Sequence, residues 1–256
     1  MRIGFFDSGL GGLTVLAEAL RRLPAKDYLY MADTLNVPYG TKTKDDVRRF
    51  VLDAVGTMVG HGIDALVVAC NTATSIAINE LREIYSMPII GMEPAVKPAV
   101  EMNQATGKRV LVCATPLTLS MPKYYALVSR VDENGIVDSL PLPELVDYCE
   151  RLVFDGEEIE EFFRRKLEPF DLDRDGIVVL GCTHYIYFRE ALRRVLPESI
   201  GIVDGNAGTV RRLAALMTRY GISASDGCGD VKFMSTGGDP SYIRKMEIAL
   251  DRARSL

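Results

Sequence analysis

Short apolar runs alternate along the chain with longer amphipathic segments. An apolar run bounded by Gly, Asp or Asn is typical of a strand that is buried on both faces. The runs predict eight strands: Ile3–Phe6, Tyr28–Met31, Ala65–Ala69, Ile89–Gly91, Arg109–Cys113, Ile177–Leu180, Ile200–Val203 and Val231–Met234. The segments between them predict helices over 10–23, 43–60, 74–86, 119–130, 144–153, 157–167, 186–196, 207–220 and 239–253. This alternation predicts an α/β fold with mainly parallel sheets.

The chain also contains an internal repeat. The segment 2–8 resembles 109–115, since each has a basic residue, a strand and then a small hydroxyl residue. Leu66–Thr72 resembles Ile177–Thr183 in the same way, and each of these copies contains a cysteine. Valine-rich strands resemble one another in any α/β protein, but the matched cysteines favour two related halves.

The repeat suggests how the halves divide the chain. We place one α/β domain at 1–96 together with 208–256, and the second at 97–207. The stretch Met92–Pro98 contains two prolines, which disfavour a continuous helix, and is the predicted crossing between the halves. A ligand held between the halves would contact both cysteines.

Cys70 and Cys182 are the two matched cysteines. Each directly follows a predicted strand, at the carboxyl ends where open α/β sheets bind ligands. The N–H groups of a helix start lower the pKa of a thiol, so each could exist partly as thiolate. A lone cysteine here would more often be a packing residue, but a matched pair favours chemistry. The residues that follow them carry hydrogen-bonding groups: Asn71, Thr72, Thr183 and His184.

The first strand ends in a glycine-rich segment, Asp7–Gly12. It lacks the Gly-Lys-Ser/Thr ending of a phosphate-binding loop and the spacing of a dinucleotide fingerprint. A tight strand-to-helix turn and a ligand-binding loop both remain open interpretations. If the first and third strands are neighbours, Asp7 lies near Cys70 and could accept or relay a proton.

Among the remaining features, His184 and Pro38–Gly40 are candidates for the same edge of the sheet. His184 lies two positions after Cys182, and a group that titrates near neutrality suits acid–base work. His61, in a turn, is expected to be a solvated or capping residue. Pro38–Gly40 follows the second strand and Asp33; it is either a simple turn or part of a pocket wall.

Composition narrows the function classes. The chain has 256 residues, 48% hydrophobic and 25% charged, with a net charge of −5. Its basic residues are scattered, which disfavours nucleic acid and membrane surfaces as partners. Its five cysteines form no C-x-x-C pair and no metal-type spacing, so we expect reduced thiols, no metal and a cytoplasmic protein. No apolar run has the length of a signal-peptide core or a membrane span.

Together these motifs resemble glutamate racemases, in the aspartate/glutamate racemase superfamily. The resemblance rests on these pieces, in order along nearly the whole chain: Phe6–Gly12, Asp33 with Pro38–Gly40, Ala69–Ala73, Glu93–Ala95 and Leu180–Tyr185. One departure is Ile186, which stands where the family commonly has proline; its loss could alter the helix start after Cys182.

The resemblance implies a two-base racemase without cofactor, in which Cys70 and Cys182 face opposite sides of the glutamate α-carbon. Cys70 would take the proton from D-glutamate and Cys182 from L-glutamate, with Asp7 and His184 assisting. The substrate pocket would be lined by Asp7, Ser8, Tyr39, Gly40, Asn71, Thr72, Thr115, Thr118, Thr183 and His184, with Asp33 and Glu150 as polar support.

The family's architecture and biology complete these expectations. It implies two α/β domains of pseudo-twofold relation with the active site in the cleft between them, often as a homodimer. The product would supply D-glutamate for peptidoglycan. Three alternatives remain open: an aspartate or hydantoin racemase, a thiol hydrolase using Cys182 and His184 that leaves Cys70 unexplained, and a catalytically silent amino-acid-binding module.

Overall fold

A computed structural model of the chain describes residues 1–104, 106–222 and 227–256. The strands of these ranges are β1 Arg2–Asp7, β2 Asp27–Ala32, β3 Ala65–Val68, β4 Ile89–Gly91, β5 Arg109–Ala114, β6 Val137–Pro141, β7 Asp175–Leu180, β8 Gly201–Asp204 and β9 Val231–Ser235. The α-helices are α1 Leu13–Arg22, α2 Lys44–Gly60, α3 Asn71–Ile84, α4 Val96–Asn103, α5 Pro116–Ser120, α6 Pro122–Val131, α7 Glu144–Glu150, α8 Glu157–Leu167, α9 Arg189–Val195, α10 Asn206–Arg219 and α11 Pro240–Arg254. Two short 3-10 helices, Tyr39–Thr41 and Thr183–Phe188, complete them.

The strands form two parallel sheets. The first has the order β4-β3-β1-β2-β9, and the second has the order β6-β5-β7-β8. Strands β4-β3-β1-β2 of the first sheet therefore correspond to β8-β7-β5-β6 of the second. This matches the sequence repeat, which pairs β1 with β5 and β3 with β7. The prediction of an α/β fold built from two related parallel sheets is confirmed.

One strand was missed by the hydrophobic pattern. Strand β6 lies at the edge of the second sheet, where Leu140 is its buried residue and the others are partly or fully exposed. An edge strand with a single buried side chain lacks the apolar run by which buried strands are recognised. Its counterpart in the repeat is β2.

The proline-rich stretch Met92–Pro98 lies between the two sheets. The chain does pass here from β4 of the first sheet to β5 of the second. The prediction that no continuous helix spans this stretch is confirmed, because residues 92–95 are not helical and α4, which contains Pro98, begins only at Val96. Pro98 lies in the first turn, where a backbone N–H has no intrahelical partner and its loss breaks no helix bond.

We call the first sheet with α1–α3, α10 and α11 the first lobe, and the second sheet with α4–α9 the second lobe. Two hydrophobic clusters cover the outer faces of the sheets, one around Phe6 and Val68 and the other around Val110. The largest cluster runs from Phe5 in the first sheet to Val178 in the second. The lobes thus share a continuous core, and the domain boundaries at 96 and 207 stay a prediction.

The parallel order brings the carboxyl ends of the central strands together where the lobes meet. Asp7 ends β1, Cys70 follows β3, Thr115 follows β5 and Cys182 follows β7. All four side chains are buried. Among the helices of the described residues, none combines the length and apolar composition that crossing a membrane requires.

Candidate active site

Cys70 is the N-cap residue of α3. Its Sγ accepts a hydrogen bond from the Ala73 N–H at 3.4 Å and lies 3.8 Å from the Ser8 hydroxyl. Burial and the negative charge of Asp7 nevertheless raise the pKa of the Cys70 thiol, and the Ala73 and Ser8 bonds offset this only in part. The expectation that a helix start would lower this pKa is wrong here, because desolvation disfavours the thiolate more strongly. At neutral pH Cys70 is held as a thiol.

Cys182 lies at the end of β7 and begins the 3-10 helix Thr183–Phe188. The predicted helix over 186–196 thus starts as a 3-10 turn and becomes α-helical at Arg189, with Ile186 buried inside the turn. The Cys182 Sγ lies 3.8 Å from Nδ1 of His184. The imidazole is therefore the polar neighbour of this thiol, as the two-residue spacing suggested.

His184 connects Cys182 to a carboxylate that sequence reasoning treated as a weak candidate. Its Nε2 lies 2.9 Å from Oε1 of Glu150, the last residue of α7. The predicted helix 144–153 ends here, and the chain turns at Leu152, whose φ is 61°. Thiol, imidazole and carboxylate thus form a line in the order Cys182, His184, Glu150.

The electrostatics of this line favour an ion pair. Burial opposes the charged form of His184, but hydrogen bonds to Cys182 and Glu150 outweigh it and hold the pKa of His184 well above its ordinary value. Burial likewise opposes the Glu150 carboxylate, yet His184 and the hydroxyl of Tyr242 lower the pKa of Glu150. A positive charge therefore lies beside Cys182.

Asp7 lies between the two cysteine motifs. Its Oδ1 accepts a hydrogen bond from the Gly9 N–H at 2.8 Å, and its Oδ2 accepts one from the Thr183 hydroxyl at 3.2 Å. Burial raises the pKa of Asp7, while the positive charge of His184 opposes that rise. Sequence reasoning placed Asp7 near Cys70 alone, whereas the carboxylate also binds the segment that follows Cys182.

The glycine-rich segment after Asp7 has a steric role. A Cβ atom on Gly9 would lie 2.0 Å from Oε1 of Glu150, and one on Gly11 would lie 2.3 Å from Nδ1 of His184. The Leu10 N–H between them donates to Glu150 Oε1 at 2.8 Å. Glycine is therefore required so that the acid–base pair can approach this backbone. Of the two interpretations left open, the segment is both a tight turn and part of the site.

Three threonine hydroxyls join the lobes beside Cys70. Thr72 Oγ1 lies 3.0 Å from Oγ1 of Thr115 and 3.0 Å from Oγ1 of Thr118, which are themselves 2.9 Å apart. All three side chains are buried. We call Thr72, Thr115 and Thr118 the threonine cluster. Gly40 packs against it, since a Cβ there would lie 2.5 Å from Cβ of Thr115.

Asn71 adds an unsatisfied acceptor next to the threonine cluster. Its amide donates to the Met92 carbonyl at 3.4 Å, but its buried Oδ1 has no hydrogen-bond partner within the parts of the chain that the structure describes. Buried acceptors are rarely left unpaired, so this atom is a candidate ligand-binding group. A cavity of about 20 Å³ lies beside Asn71, Thr118 and Tyr124, about the room of one water molecule.

Asp33 fixes the wall formed by Pro38–Gly40. The buried carboxylate accepts hydrogen bonds from the hydroxyl of Tyr39 at 2.5 Å, from that of Thr236 at 2.6 Å and from the amide of Asn36. The Tyr39 hydroxyl is therefore engaged with Asp33. Pro38–Gly40 is thus a turn that is also held against the threonine cluster through Gly40.

Two further residues of the site, Tyr242 and Lys245, were not identified from the sequence as candidates. The Tyr242 hydroxyl donates to Oε2 of Glu150, and Lys245 Nζ donates to the Glu150 carbonyl at 3.2 Å. Both belong to α11, where no local motif marks them. Only the tertiary packing of α11 against the end of α7 brings them to the site.

The possible metal ligands, the cysteines and His61 were also compared with the sequence-based expectations. Over the described ranges, no group of three or more His, Cys, Asp and Glu side chains is arranged to hold a metal ion. All five cysteines are free thiols. His61 is exposed at the end of α2, as expected for a capping residue.

Comparison with known proteins identifies the family. The family model described as "Asp/Glu/Hydantoin racemase" matches residues 8–213. A glutamate racemase of Halothermothrix orenii is 56% identical over 238 residues, which cover 93% of each chain. The chain also resembles the crystal structure of Escherichia coli glutamate racemase in complex with L-glutamate and the activator UDP-MurNAc-ala. That likeness has a TM-score of 0.85 and 30% identity, over 98% of this chain and 94% of the other.

A third similar structure is that of glutamate racemase from Francisella tularensis in complex with D-glutamate. It has a TM-score of 0.84 and 25% identity, over 98% of this chain and 93% of the other. The family match extends over the residues that build both cysteine motifs, from Ser8 to beyond His184. The chain therefore belongs to the Asp/Glu/hydantoin racemase family.

Proposed function

We propose that the chain interconverts L-glutamate and D-glutamate by a two-base proton transfer at the α-carbon, without a cofactor. One observation carries the proposal: Cys70 and Cys182 hold equivalent positions in the two lobes and are buried around the same carboxylate, Asp7. Removing a proton from one face of a carbon and returning it to the other requires an acid–base group on each face.

In each turnover, the thiolate on one face takes the α-proton. The electron pair of the broken C–H bond passes into the adjacent carboxylate, and the thiol on the opposite face then donates its proton to the α-carbon. The protonation states of Cys70 and Cys182 are exchanged at the end. Negative charge on Cys182 further raises the pKa of Cys70, so one thiol and one thiolate is the favoured pair.

The two thiols differ in how their charge is balanced. Cys182 has the His184 cation at 3.8 Å, and Glu150 keeps that cation protonated. Cys70 has helix N–H groups and Ser8 but faces the negative charge of Asp7. We infer that Cys182, with the His184 cation beside it, takes the proton from L-glutamate, and that Cys70 takes it from D-glutamate.

Substrate recognition follows from the hydrogen-bonding groups around the thiols. Oδ1 of Asn71 needs a donor and suits the α-ammonium group. The threonine cluster supplies hydroxyl donors for a carboxylate, and Ser8 and Thr183 lie beside the two thiols. Because the three threonine hydroxyls are bonded to one another, a substrate carboxylate that binds them must replace the Thr72 bonds to Thr115 and Thr118.

The setting of the reaction belongs to the same proposal. The names of the relatives support glutamate as the substrate, and D-glutamate would serve peptidoglycan synthesis in the cytoplasm. We also propose that the chain acts as a homodimer, as the resemblance to the family implies. Light scattering of the purified protein over a range of concentrations tests the dimer independently of activity.

The test of substrate is direct. Purified protein is incubated with L-glutamate and, separately, with L-aspartate, without pyridoxal phosphate. The loss of the circular-dichroism signal of the amino acid is followed over time. We expect racemisation of glutamate with a kcat/KM at least about 100-fold above that for aspartate, since a shorter side chain leaves the distal carboxylate site unpaired. Preference for aspartate, or inactivity with both, overturns the proposal.

A further inference from the structure

Glu150 is held from several directions at once. Its Oε1 lies 2.9 Å from His184 Nε2 and accepts the Leu10 N–H at 2.8 Å. Its Oε2 accepts the hydroxyl of Tyr242. The side chain of Glu150 is 14% exposed, so its alternative conformations are few. The two oxygens of one carboxylate are therefore divided between an acid–base partner and a tyrosine.

The tyrosine comes from the opposite lobe. Tyr242 is in the first turn of α11, which follows β9 of the first sheet and packs against α1. Glu150 ends α7, which follows β6 of the second sheet. The Tyr242 contact with Glu150 consequently joins the lobes at the point where the acid–base pair of Cys182 is assembled.

Tyr242 is suited to donate to this carboxylate. Burial and the Glu150 charge raise its pKa, so the phenol keeps its proton in the range where proteins are folded. Lys245, one turn later on α11, donates to the Glu150 carbonyl at 3.2 Å and lies 5.9 Å from the Tyr242 ring centroid. Helix α11 thus contacts both the backbone and the side chain of Glu150.

We propose that Tyr242 is a positioning residue for the reaction: it fixes the Glu150 carboxylate in the orientation that pairs with His184 beside Cys182. The inference rests on the proposed function, because it assigns Tyr242 to the acid–base group of one of the two thiols. Without the hydroxyl, the Glu150 side chain is free to turn about its terminal bond. Its Oε1 would then bind His184 for a smaller fraction of the time.

Among the groups around Glu150, Tyr242 is the one that can be substituted to test how the carboxylate is positioned. The charged and titratable groups around Glu150 are His184 and, beyond the imidazole, Cys182, together with Asp7 from β1, Tyr242 and Lys245 from α11, and the buried Tyr30, Cys149 and Tyr187. Three of these are placed in the reaction itself. Within the described ranges the Tyr242 hydroxyl bonds to Glu150 and to neither Cys70 nor Cys182, so its removal tests positioning separately from chemistry.

The readout is the proton on Nε2 of His184, which reports the bond to Glu150 without requiring activity. The chain has two histidines, so labelling with ¹⁵N-histidine gives two imidazoles, and exposed His61 serves as an internal reference. The rate at which the His184 Nε2 proton exchanges with water is measured at neutral pH. We expect Tyr242→Phe to raise this rate about tenfold, the effect of losing one hydrogen bond to a charged group.

The matched control is Tyr28→Phe. Tyr28 is buried in the first lobe and donates its hydroxyl to the Leu23 carbonyl at 2.6 Å, away from the site. The Tyr28→Phe substitution should leave the His184 exchange rate and kcat/KM unchanged. Tyr242→Phe should lower kcat/KM about tenfold, equally for both enantiomers, because their ratio is fixed by the equilibrium between them. Glu150→Gln should remove any further effect of Tyr242→Phe.

The possible outcomes separate the two proposals. An unchanged His184 exchange rate in Tyr242→Phe overturns the positioning role, even if activity falls. A wild-type protein that shows no protected His184 Nε2 proton overturns it as well. Wild-type inactivity with glutamate overturns the proposed function instead. Should Tyr242→Phe fail to fold, Tyr242→Leu removes the same hydroxyl, and the His184 exchange rate is measured in the same way.

Discussion

The Thr183 hydroxyl donates a hydrogen bond to Asp7 Oδ2 at 3.2 Å, from the second lobe to the first. Thr183 adjoins Cys182, and Asp7 raises the pKa of Cys70, so a single carboxylate contacts the surroundings of both thiols. A change in the charge of Asp7 should therefore alter how readily Cys70 ionises.

Asp7→Asn should make Cys70 ionise at lower pH. The negative charge of Asp7 disfavours the Cys70 thiolate, so its removal lowers the pKa of the thiol and moves alkylation of Cys70 to lower pH. Iodoacetamide labelling, resolved by peptide mass mapping over a pH series, measures the shift. Cys113 is the internal control, since burial raises its pKa to about 12 without a contribution from Asp7. Equal shifts for both cysteines would count against this account of Asp7.

His184→Asn should destabilise the fold in a pH-dependent way. The folded pKa of His184 is raised, so its stabilisation is complete below the unfolded value of about 6.5 and is lost as pH rises through the folded pKa. The folded pKa of Glu150 is lowered, so its stabilisation is present above about 4.3 and lost as pH falls through its folded pKa. The pair contributes most between these limits.

Removal of His184 leaves Glu150 buried without its cation, which costs about 3 kcal/mol near pH 6. Urea unfolding of wild type and His184→Asn across the pH range measures the free energy of unfolding. The difference between them should shrink at alkaline pH, as the wild-type imidazole loses its proton. A difference that stays constant to alkaline pH would show that packing, and not the ion pair, sets the stability.

Gly11→Ala should impair the site, because its Cβ would lie 2.3 Å from Nδ1 of His184 and 2.7 Å from the His184 backbone nitrogen. We expect a loss of about 1–3 kcal/mol in the free energy of unfolding, together with a large fall in kcat. Gly60→Ala is the matched control, because a Cβ there meets nothing within 4 Å. It should stabilise the helix slightly, by about 0.5 kcal/mol. Equal effects of the two substitutions would contradict the steric role of Gly11.

Thr118→Val should weaken substrate binding. The change keeps the shape of the side chain but removes one hydroxyl of the threonine cluster, so the KM for glutamate should rise about tenfold. Steady-state kinetics measures it. Thr57→Val is the control, because Thr57 is exposed and bonds within α2. A KM for Thr118→Val equal to that of Thr57→Val would remove the cluster from the binding site.

Much of this arrangement could be predicted from the sequence. Hydrophobic runs mark the buried strands, and the repeat aligns Cys70 with Cys182 because the two sheets share a strand order. The topology then brings the strand ends together, with Asp7 and Thr115 beside them. Edge strand β6 was missed because most of its residues are partly or fully exposed, so its sequence contains no apolar run.

What could not be predicted depends on tertiary contacts. Tyr242 and Glu150 are 92 positions apart in the sequence, and no local sequence pattern predicts their contact. The raised pKa of Cys70 likewise depends on desolvation, which follows from the packing around the thiol rather than from its place at a helix start. Nor could the role of Gly9 be identified before Glu150 was located against it.

The two-base scheme is tested most directly by isotope exchange at the glutamate α-carbon with Cys70→Ser and Cys182→Ser. In deuterated water, wild type should form the opposite enantiomer with deuterium at the α-carbon. Each variant should lose racemisation by about 10³-fold or more while keeping the wild-type fold by circular dichroism. Racemisation by Cys70→Ser at the wild-type rate would contradict the account, because Cys182 would then suffice alone.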